Sequence, residues 1–252
     1  MIAVTGLETA ALAALIFVAA TVYSSVGHAG ASGYLAAMAL FGLPPAAMRP
    51  TALTLNVLVA SLATVRLRQA ELVRWRPLVP LCSASIPAAF AGGMIELPGQ
   101  WYRLLVGIVL LAAAWKLFFD PKDAPLPGAS EPARIPWRPA LVTGFLVGML
   151  SGLTGTGGGI FLSPLLLFFG WAGARQQAGI TAPFSLANSI AGLAGNLVSL
   201  QRLPVELPYF VVAALLGAVL GTQLGIKWFS VRTLQRALAV VLVVAALKFV
   251  LT

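Results

Sequence analysis

Two glycine-rich clusters interrupt apolar stretches of the sequence, at residues 27–33 and 152–159. Non-helical backbone is tolerated at membrane depth only where it is buried in protein or lines a watery cavity. Glycine lets backbone N–H groups face inward without steric cost, and a helix that starts after the break points its positive dipole end at the same place. The clusters therefore predict an anion-binding site. Close packing of helices through small residues is the alternative interpretation.

Polar residues within and after the clusters are the candidates for binding substrate. The clusters contribute Gly27, His28, Gly30, Ser32, Gly155, Thr156, Gly157 and Gly158, and the apolar stretches that follow contribute Thr51, Thr54, Asn56, Gln177, Thr181, Ser185 and Asn188. Three of them, Thr181, Ser185 and Asn188, fall at i, i+4 and i+7 and share one helix face. Such hydroxyls and amides either replace the hydration shell of an oxyanion or hydrogen-bond packed membrane helices to one another.

Three ionisable residues are further candidates. His28 is the only histidine and titrates near neutral pH, so it is a candidate for proton coupling as well as for substrate binding. A histidine placed at the membrane interface is the simpler alternative. Arg49 and Arg175 stand at equivalent turns of the two halves, where they either attract anions to the two mouths of the site or extend to lipid phosphates.

The composition is that of a membrane protein. Of 252 residues, 60% are hydrophobic and only 9% are charged, and the mean hydropathy is +0.95, whereas a soluble domain carries about 25% charge. The net charge of +9 is scattered between apolar runs, which is typical of membrane loops and argues against a nucleic-acid partner. The single cysteine excludes an internal disulfide, and neither a metal nor a cofactor is predicted. With seven acidic residues, all in predicted loops or at span ends, a cation pump is disfavoured.

The sequence predicts an all-α polytopic membrane protein with about 8–10 membrane segments. Apolar stretches fall at 7–25, 31–43, 46–65, 77–95 and 100–119, and again at 138–153, 159–170, 173–200, 204–226 and 231–251. A span needs about 20 residues, so the 31–43 stretch is predicted to be a re-entrant or half-length helix. The predicted organisation is a first membrane repeat at 1–119, a cytoplasmic linker at 120–137 and a second repeat at 138–252. Aromatic residues near span ends, including Trp101 and Tyr102, are predicted to form an interfacial belt.

The two series of segments resemble each other. Residues 26–42 align with 154–170 without a gap, and a glycine-broken pair at equivalent places in two halves indicates a transport site. With the basic residues of 66–76 in the cytoplasm, five segments per half place more Lys and Arg inside than four do. An odd number inverts the second copy, so the sequence predicts inverted repeats with both termini outside.

These features together resemble the TauE/SafE family of sulfite and organosulfonate exporters. The resemblance rests on the glycine-broken first segment of each half, the turn at 42–45, the polar stretch at 176–182 and the duplicated layout. It implies a multi-pass permease of the bacterial inner membrane that exports small sulfur-containing anions such as sulfite, sulfoacetate or other organosulfonates. The implied partners are the anion and the lipid bilayer, and homo-oligomer formation is left open. The first copy departs from the second, with His28-Ala29 where Thr156-Gly157 stands.

Three other functions were weighed against export of sulfur anions. A carboxylate permease would use the same anion site, and a non-transporting scaffold or assembly factor would not need two glycine-broken segments. The sequence Gly30-Ala31-Ser32-Gly33 matches the G-x-S-G around the nucleophile of rhomboid proteases. A serine nucleophile needs a base within hydrogen-bond reach, and the only histidine lies four residues upstream of Ser32. The sequence therefore predicts a transporter and not an enzyme.

Overall fold

The computed structural model describes residues 6–25, 27–119, 135–172 and 174–227, together with Val240, Val243, Ala246 and Leu247. Regular structure within these residues is helical throughout, which confirms the all-α fold class. The helices are α1 (Gly6–Ser25), α2 (Ala31–Leu40), α3 (Pro45–Gln69), α4 (Trp75–Met94), α5 (Gly99–Phe119), α6 (Trp137–Thr154), α7 (Gly159–Phe168), α8 (Ala174–Gly195) and α9 (Leu207–Lys227), with a 3-10 helix at Leu197–Arg202 before α9.

The predicted segments match these helices closely. All five helices of the first half begin within two residues of the predicted positions. In the second half the stretch at 173–200 is divided, because α8 ends at Gly195 and a separate 3-10 helix follows. Most of the predicted linker lies outside the described residues, and so does nearly all of the last predicted segment at 231–251.

The two helices that follow the glycine clusters are half-length. Helices α2 and α7 have 10 residues each, so each extends about 15 Å along a hydrocarbon layer that is about 30 Å thick. By contrast α1, α3, α4 and the part of α9 at 207–224 are long and apolar enough to cross a membrane. Each of these two helices is therefore too short to cross the hydrocarbon layer alone.

Helices α5 and α9 expose apolar faces to the surroundings of the protein. The exposed residues recur every three or four positions, namely Trp101, Leu104, Ile108, Leu111 and Trp115 on α5, and Tyr209, Val212, Leu216, Leu220 and Leu224 on α9. An apolar stripe of this kind on the outside of a helical protein fits a lipid environment.

The prediction of an aromatic belt is wrong for Tyr102. Its side chain is only 3% exposed, and its hydroxyl donates a hydrogen bond to the carbonyl of Thr154 at 3.1 Å. Its neighbour Trp101 is 57% exposed, as the prediction requires. Tyr102 points inward because it satisfies the last carbonyl of α6, which has no intrahelical partner.

The most extensive helix contacts join the two halves of the chain. Helix α1 packs against α9, α4 packs against α6, and α3 packs against α8. The first helix of each half is thus paired with the fourth helix of the other half. The halves are interlocked, because each of these three pairs takes one helix from each half.

Glycines make the pairing of α4 with α6 very close. A Cβ atom added to Gly144, Gly148 or Gly152 of α6 would lie less than 3.0 Å from the carbonyl oxygens of Leu81, Ser85 and Ala89 of α4, respectively. Gly217 and Gly221 on α9 meet the carbonyl oxygens of Phe17 and Thr21 on α1 in the same way. Small residues spaced by four let helix backbones touch, which is how membrane helices gain packing energy without a hydrophobic driving force.

We expect Gly148→Ala to destabilise the protein, because the added methyl group collides with the backbone of Ser85. Overpacking of this kind costs about 1–3 kcal/mol. The melting temperature of the detergent-solubilised protein, followed by tryptophan fluorescence, would measure the loss. Gly99→Ala is the matched control, since nothing lies within 4 Å of a Cβ atom there. Equal melting temperatures for the two variants would contradict the proposed role of Gly148.

Candidate functional site

The two glycine clusters break the helices because their backbone adopts left-handed conformations. Gly27 and Gly30 have φ values of +80° and +96°, and Gly155, Gly157 and Gly158 have values of +83°, +73° and +80°. Residues with a Cβ atom adopt this region at an energetic cost, so glycine is favoured at all five positions. All five glycines therefore serve the breaks, and Gly155 also caps α6 by donating its N–H to the Ser151 carbonyl at 2.8 Å.

Each break packs on the long helix of the opposite half. A Cβ atom on Gly27 would collide with Ala178 of α8, and Thr181 of α8 donates its hydroxyl to the Gly27 carbonyl at 3.2 Å. In the reciprocal contact, a Cβ atom on Gly155 would lie 3.1 Å from Cγ of Arg49 on α3. Because α3 and α8 pack against each other, these contacts bring the two breaks together.

The breaks enclose a small pocket between the halves. Six of its lining residues were predicted from sequence, namely His28, Gly30, Ser32, Asn56, Thr156 and Ser185, and five were not, namely Tyr23, Ala29, Ala31, Gly159 and Ile160. The space open to the centre of a water molecule is about 10 Å³, which is room for about one water. The pocket in this structure is therefore small.

The first turns of both half-length helices face this pocket. Gly30, Ala31 and Ser32 begin α2, and Gly159 and Ile160 begin α7. The first N–H groups of a helix have no intrahelical partner, and Gly30 caps α2 without a side-chain hydrogen bond. Two positive dipole ends, one from each half, thus meet at one place, as the sequence predicted from the glycine clusters.

The first-half wall of the pocket contains a pair of hydroxyl groups. Ser32 donates its hydroxyl proton to the hydroxyl of Tyr23 at 2.7 Å, and the His28 ring meets the edge of Tyr23 with centroids 6.4 Å apart. His28 is 4% exposed, so it is a buried residue of the break and not an interfacial histidine. Ser32 bonds to a phenol rather than to an imidazole, which also removes the geometry that a serine nucleophile requires.

Asn56 and Ser185 line the pocket, and Ser189 lies behind them in the same hydrogen-bonded cluster. Asn56 donates from Nδ2 to Ser185 Oγ at 3.0 Å and to Ser189 Oγ at 2.7 Å. All three side chains are buried, and Asn56 Oδ1 has no hydrogen-bond partner among the described residues. The backbone of Gly157 lies directly on this cluster, because a Cβ atom there would come within 3.0 Å of all three side chains.

The remaining predicted residues do not line the pocket. Thr51 and Thr54 donate to backbone carbonyls one turn earlier in α3, Gln177 accepts a hydrogen bond from Ser163, and Asn188 donates to the Phe184 carbonyl at 2.8 Å. Of these bonds, only the one between Ser163 and Gln177 joins two helices, as the packing alternative requires. The bonds of Thr51, Thr54 and Asn188 lie within their own helices.

The side chain of Arg49 forms hydrogen bonds with the end of α4. Its guanidinium donates to the carbonyls of Gly92, Gly93 and Ile95, and its side chain is buried. These carbonyls have no intrahelical donor and carry the negative end of the helix dipole, so a buried cation satisfies both requirements. The predicted attraction of anions by Arg49 stays a prediction, and the side chain of Arg175 lies outside the described residues.

Sequence reasoning missed Tyr23. This residue is one turn before the first break, where an aromatic residue in an apolar span gives no sign of which way it points. The available signal was the density of hydroxyl groups around the breaks.

No charged side chain lines the pocket. Within the part of the chain that the structure describes, no group of three or more His, Cys, Asp or Glu side chains is placed to hold a metal ion. The polar surface of the pocket thus consists of neutral hydroxyls, one amide, one imidazole and the N–H groups of two helices.

Comparison with known proteins identifies relatives over nearly the whole chain. Residues 12–249 match the family described as Sulfite exporter TauE/SafE. A curated protein of Sinorhizobium fredii (strain NBRC 101917 / NGR234), described as probable membrane transporter protein y4hK, is 39% identical over 241 residues, covering 96% of this chain and 98% of the relative. No solved structure matches the chain.

We expect Gly157→Ala to disturb the pocket more than a change at another left-handed glycine. The substitution at Gly157 adds a collision with Asn56, Ser185 and Ser189 to the backbone cost of about 1–2 kcal/mol. Gly170→Ala is the matched control, because Gly170 has φ +64° and nothing within 4 Å of an added Cβ atom. The melting temperature should fall further for Gly157→Ala by several degrees. Equal losses would show that Gly157 is not packed on this cluster.

Proposed function

The chain belongs to the TauE/SafE family of membrane transporters, and on that premise we propose that it exports sulfite, sulfoacetate or other organosulfonates across the bacterial inner membrane. The observation that carries the proposal is the pocket at which the first turns of α2 and α7 meet. Helix N-termini bind anions through unpaired N–H groups and the helix dipole. The contributing residues are His28, Gly30, Ser32, Asn56, Thr156 and Ser185.

The small volume of the pocket supports alternating access. An anion with three or four oxygen atoms is larger than one water, so the halves must move apart to admit it. Because α2 and α7 belong to different halves, a rocking motion would open one side of the pocket while the other stays sealed. We assign Gly27, Gly155, Gly157 and Gly158 to shaping this site through the broken backbone.

The helix directions support the inverted arrangement of the repeats. Helices α4 and α6 run in parallel, because Leu81, Ser85 and Ala89 meet Gly144, Gly148 and Gly152 in rising order, and α1 and α9 run in parallel for the same reason.

Two side-chain contacts show how the α4–α6 pair is oriented relative to the α1–α9 pair. Arg202, just before α9, forms an ion pair at 3.3 Å with Glu96, just after α4. Later in α9 the carbonyl of Val219 accepts a hydrogen bond from Arg66, near the end of α3. Helix α9 therefore starts near the end of α4, so α4 and α9 run in opposite directions. Because α1 is parallel to α9 and α6 is parallel to α4, α1 and α6 also run in opposite directions.

Transport by purified protein in liposomes tests the proposal. Uptake and efflux of labelled sulfite, methanesulfonate and a dicarboxylate would be measured, with and without an imposed pH gradient. We expect saturable flux of the sulfur anions. Saturable flux of the dicarboxylate alone would overturn the assignment to sulfur anions, and no flux of any anion would overturn the transport proposal itself.

We also propose that His28 couples transport to protons, because its buried ring lines the pocket. Histidine exchanges a proton near neutral pH, so His28→Ala should flatten the pH dependence of sulfite flux while the protein still inserts in the membrane. Flux would be measured between mildly acidic and mildly alkaline pH, with size-exclusion chromatography as the test of folding. A pH profile identical to that of the unmodified protein would leave His28 with a structural role.

A further inference from the structure

The hydroxyl pair on the first-half wall has one proton more than it uses. Tyr23 and Ser32 share a single hydrogen bond, and no other hydrogen bond of either side chain is found among the described residues. Two hydroxyl groups carry two protons, so one remains whichever of the pair is the donor. Both residues line the pocket, and both are at least 98% buried. The spare proton is therefore available to a ligand in the pocket.

The amide cluster on the opposite wall has two spare protons. The Asn56 NH2 group and the hydroxyls of Ser185 and Ser189 carry four protons, of which two form the hydrogen bonds between them. In this orientation Oδ1 of Asn56 is buried without a donor, which costs about 1–3 kcal/mol. A half-turn of the amide lets both serines donate to Oδ1 and leaves the NH2 group unpaired. In either orientation two protons are left over.

We infer that Tyr23 and Asn56 recognise the substrate as hydrogen-bond donors, so that the site selects oxyanions that carry no acidic hydrogen, such as a sulfonate or fully ionised sulfite. With the amide turned, the NH2 group and the Tyr23–Ser32 pair supply three protons alongside the N–H groups of α2 and α7. An anion that only accepts hydrogen bonds satisfies all of them. This inference rests on the proposed anion site and specifies what it accepts.

The same donors disfavour anions that must donate a proton. Inorganic phosphate carries at least one acidic hydrogen at neutral pH, and that hydrogen needs an acceptor in the site. No Asp or Glu lines the pocket, and with the amide turned, the oxygen of Asn56 accepts hydrogen bonds from the two serines. His28 is the one titratable side chain besides Tyr23 on the pocket wall. If the acidic hydrogen of phosphate faces a donor group of the pocket, both donors are buried without an acceptor, and most of the hydrogen-bond energy at that point is lost.

Anion-induced stabilisation of the purified protein tests the inference. The shift in melting temperature would be titrated with methanesulfonate and with phosphate at neutral pH. In the unmodified protein, methanesulfonate should bind at least about tenfold more tightly than phosphate, as one unpaired buried donor implies. Equal affinity for the two anions would overturn the inference without any variant, and no stabilisation by any sulfur anion would count against the proposed site itself.

Two tyrosines offer a matched pair of variants. Tyr23→Phe removes the spare proton and should weaken methanesulfonate binding about tenfold. Tyr34→Phe is the control, because Tyr34 is equally buried but donates to the Ala29 carbonyl at 2.6 Å and does not line the pocket. Affinity should stay within about twofold in this control. Equal affinities in the two variants would overturn the role of Tyr23.

Asn56→Asp tests the amide independently. The carboxylate keeps the shape of the side chain but has only acceptor atoms, so methanesulfonate affinity should fall by more than tenfold. Circular dichroism and size-exclusion chromatography would establish that the variant is folded. A folded Asn56→Asp variant with unchanged affinity would show that the amide does not donate to the substrate.

Discussion

The structure depends on one constraint, which is that broken backbone inside a membrane must be covered by protein. Gly27 follows the end of α1 and Gly155 follows the end of α6, and each is covered by the long helix of the opposite half, at Ala178 and Arg49. Neither half supplies the cover for its own break. The interlocking of the halves and the position of the pocket between them both follow from this exchange.

Close approach of backbones is the second consequence, and it divides the glycines into two groups. Gly144, Gly148 and Gly152 have ordinary helical geometry and allow α6 to touch α4, whereas Gly155, Gly157 and Gly158 have left-handed geometry and form the break. The packing interpretation of the glycine cluster therefore holds for Gly152, whereas the left-handed glycines form the break at which we propose the anion site. Gly152 marks the boundary, because it lies inside the 152–159 cluster but serves the helix pair.

The helices were predictable from sequence and the side-chain contacts across them were not. A membrane helix is recognisable in sequence by its length and its apolar residues, so the positions of α1 to α5 could be predicted from the apolar stretches alone. The convergence of the two short helices also followed, because glycine breaks at equivalent places implied it. The partners of Arg49 and Tyr102 did not follow, since both depend on which carbonyl ends of other helices come to lie beside α3 and α5. The same holds for Tyr23, whose role depends on the rotation of α1 about its axis.

A pocket without a charged side chain has a physical advantage for a transporter. An anion must be held firmly enough to enter and weakly enough to leave, and an unpaired arginine in direct contact would favour retention. Arg49 is a buried cation beside Gly155 of the second break. Its guanidinium donates hydrogen bonds to carbonyls at the end of α4. Its charge offsets the negative end of that helix dipole, while the anion meets only neutral donors. In the proposed site, discrimination between anions rests on the donor protons around the pocket rather than on a charged side chain, and the hydroxyl of Tyr23 and the amide of Asn56 carry protons of this kind.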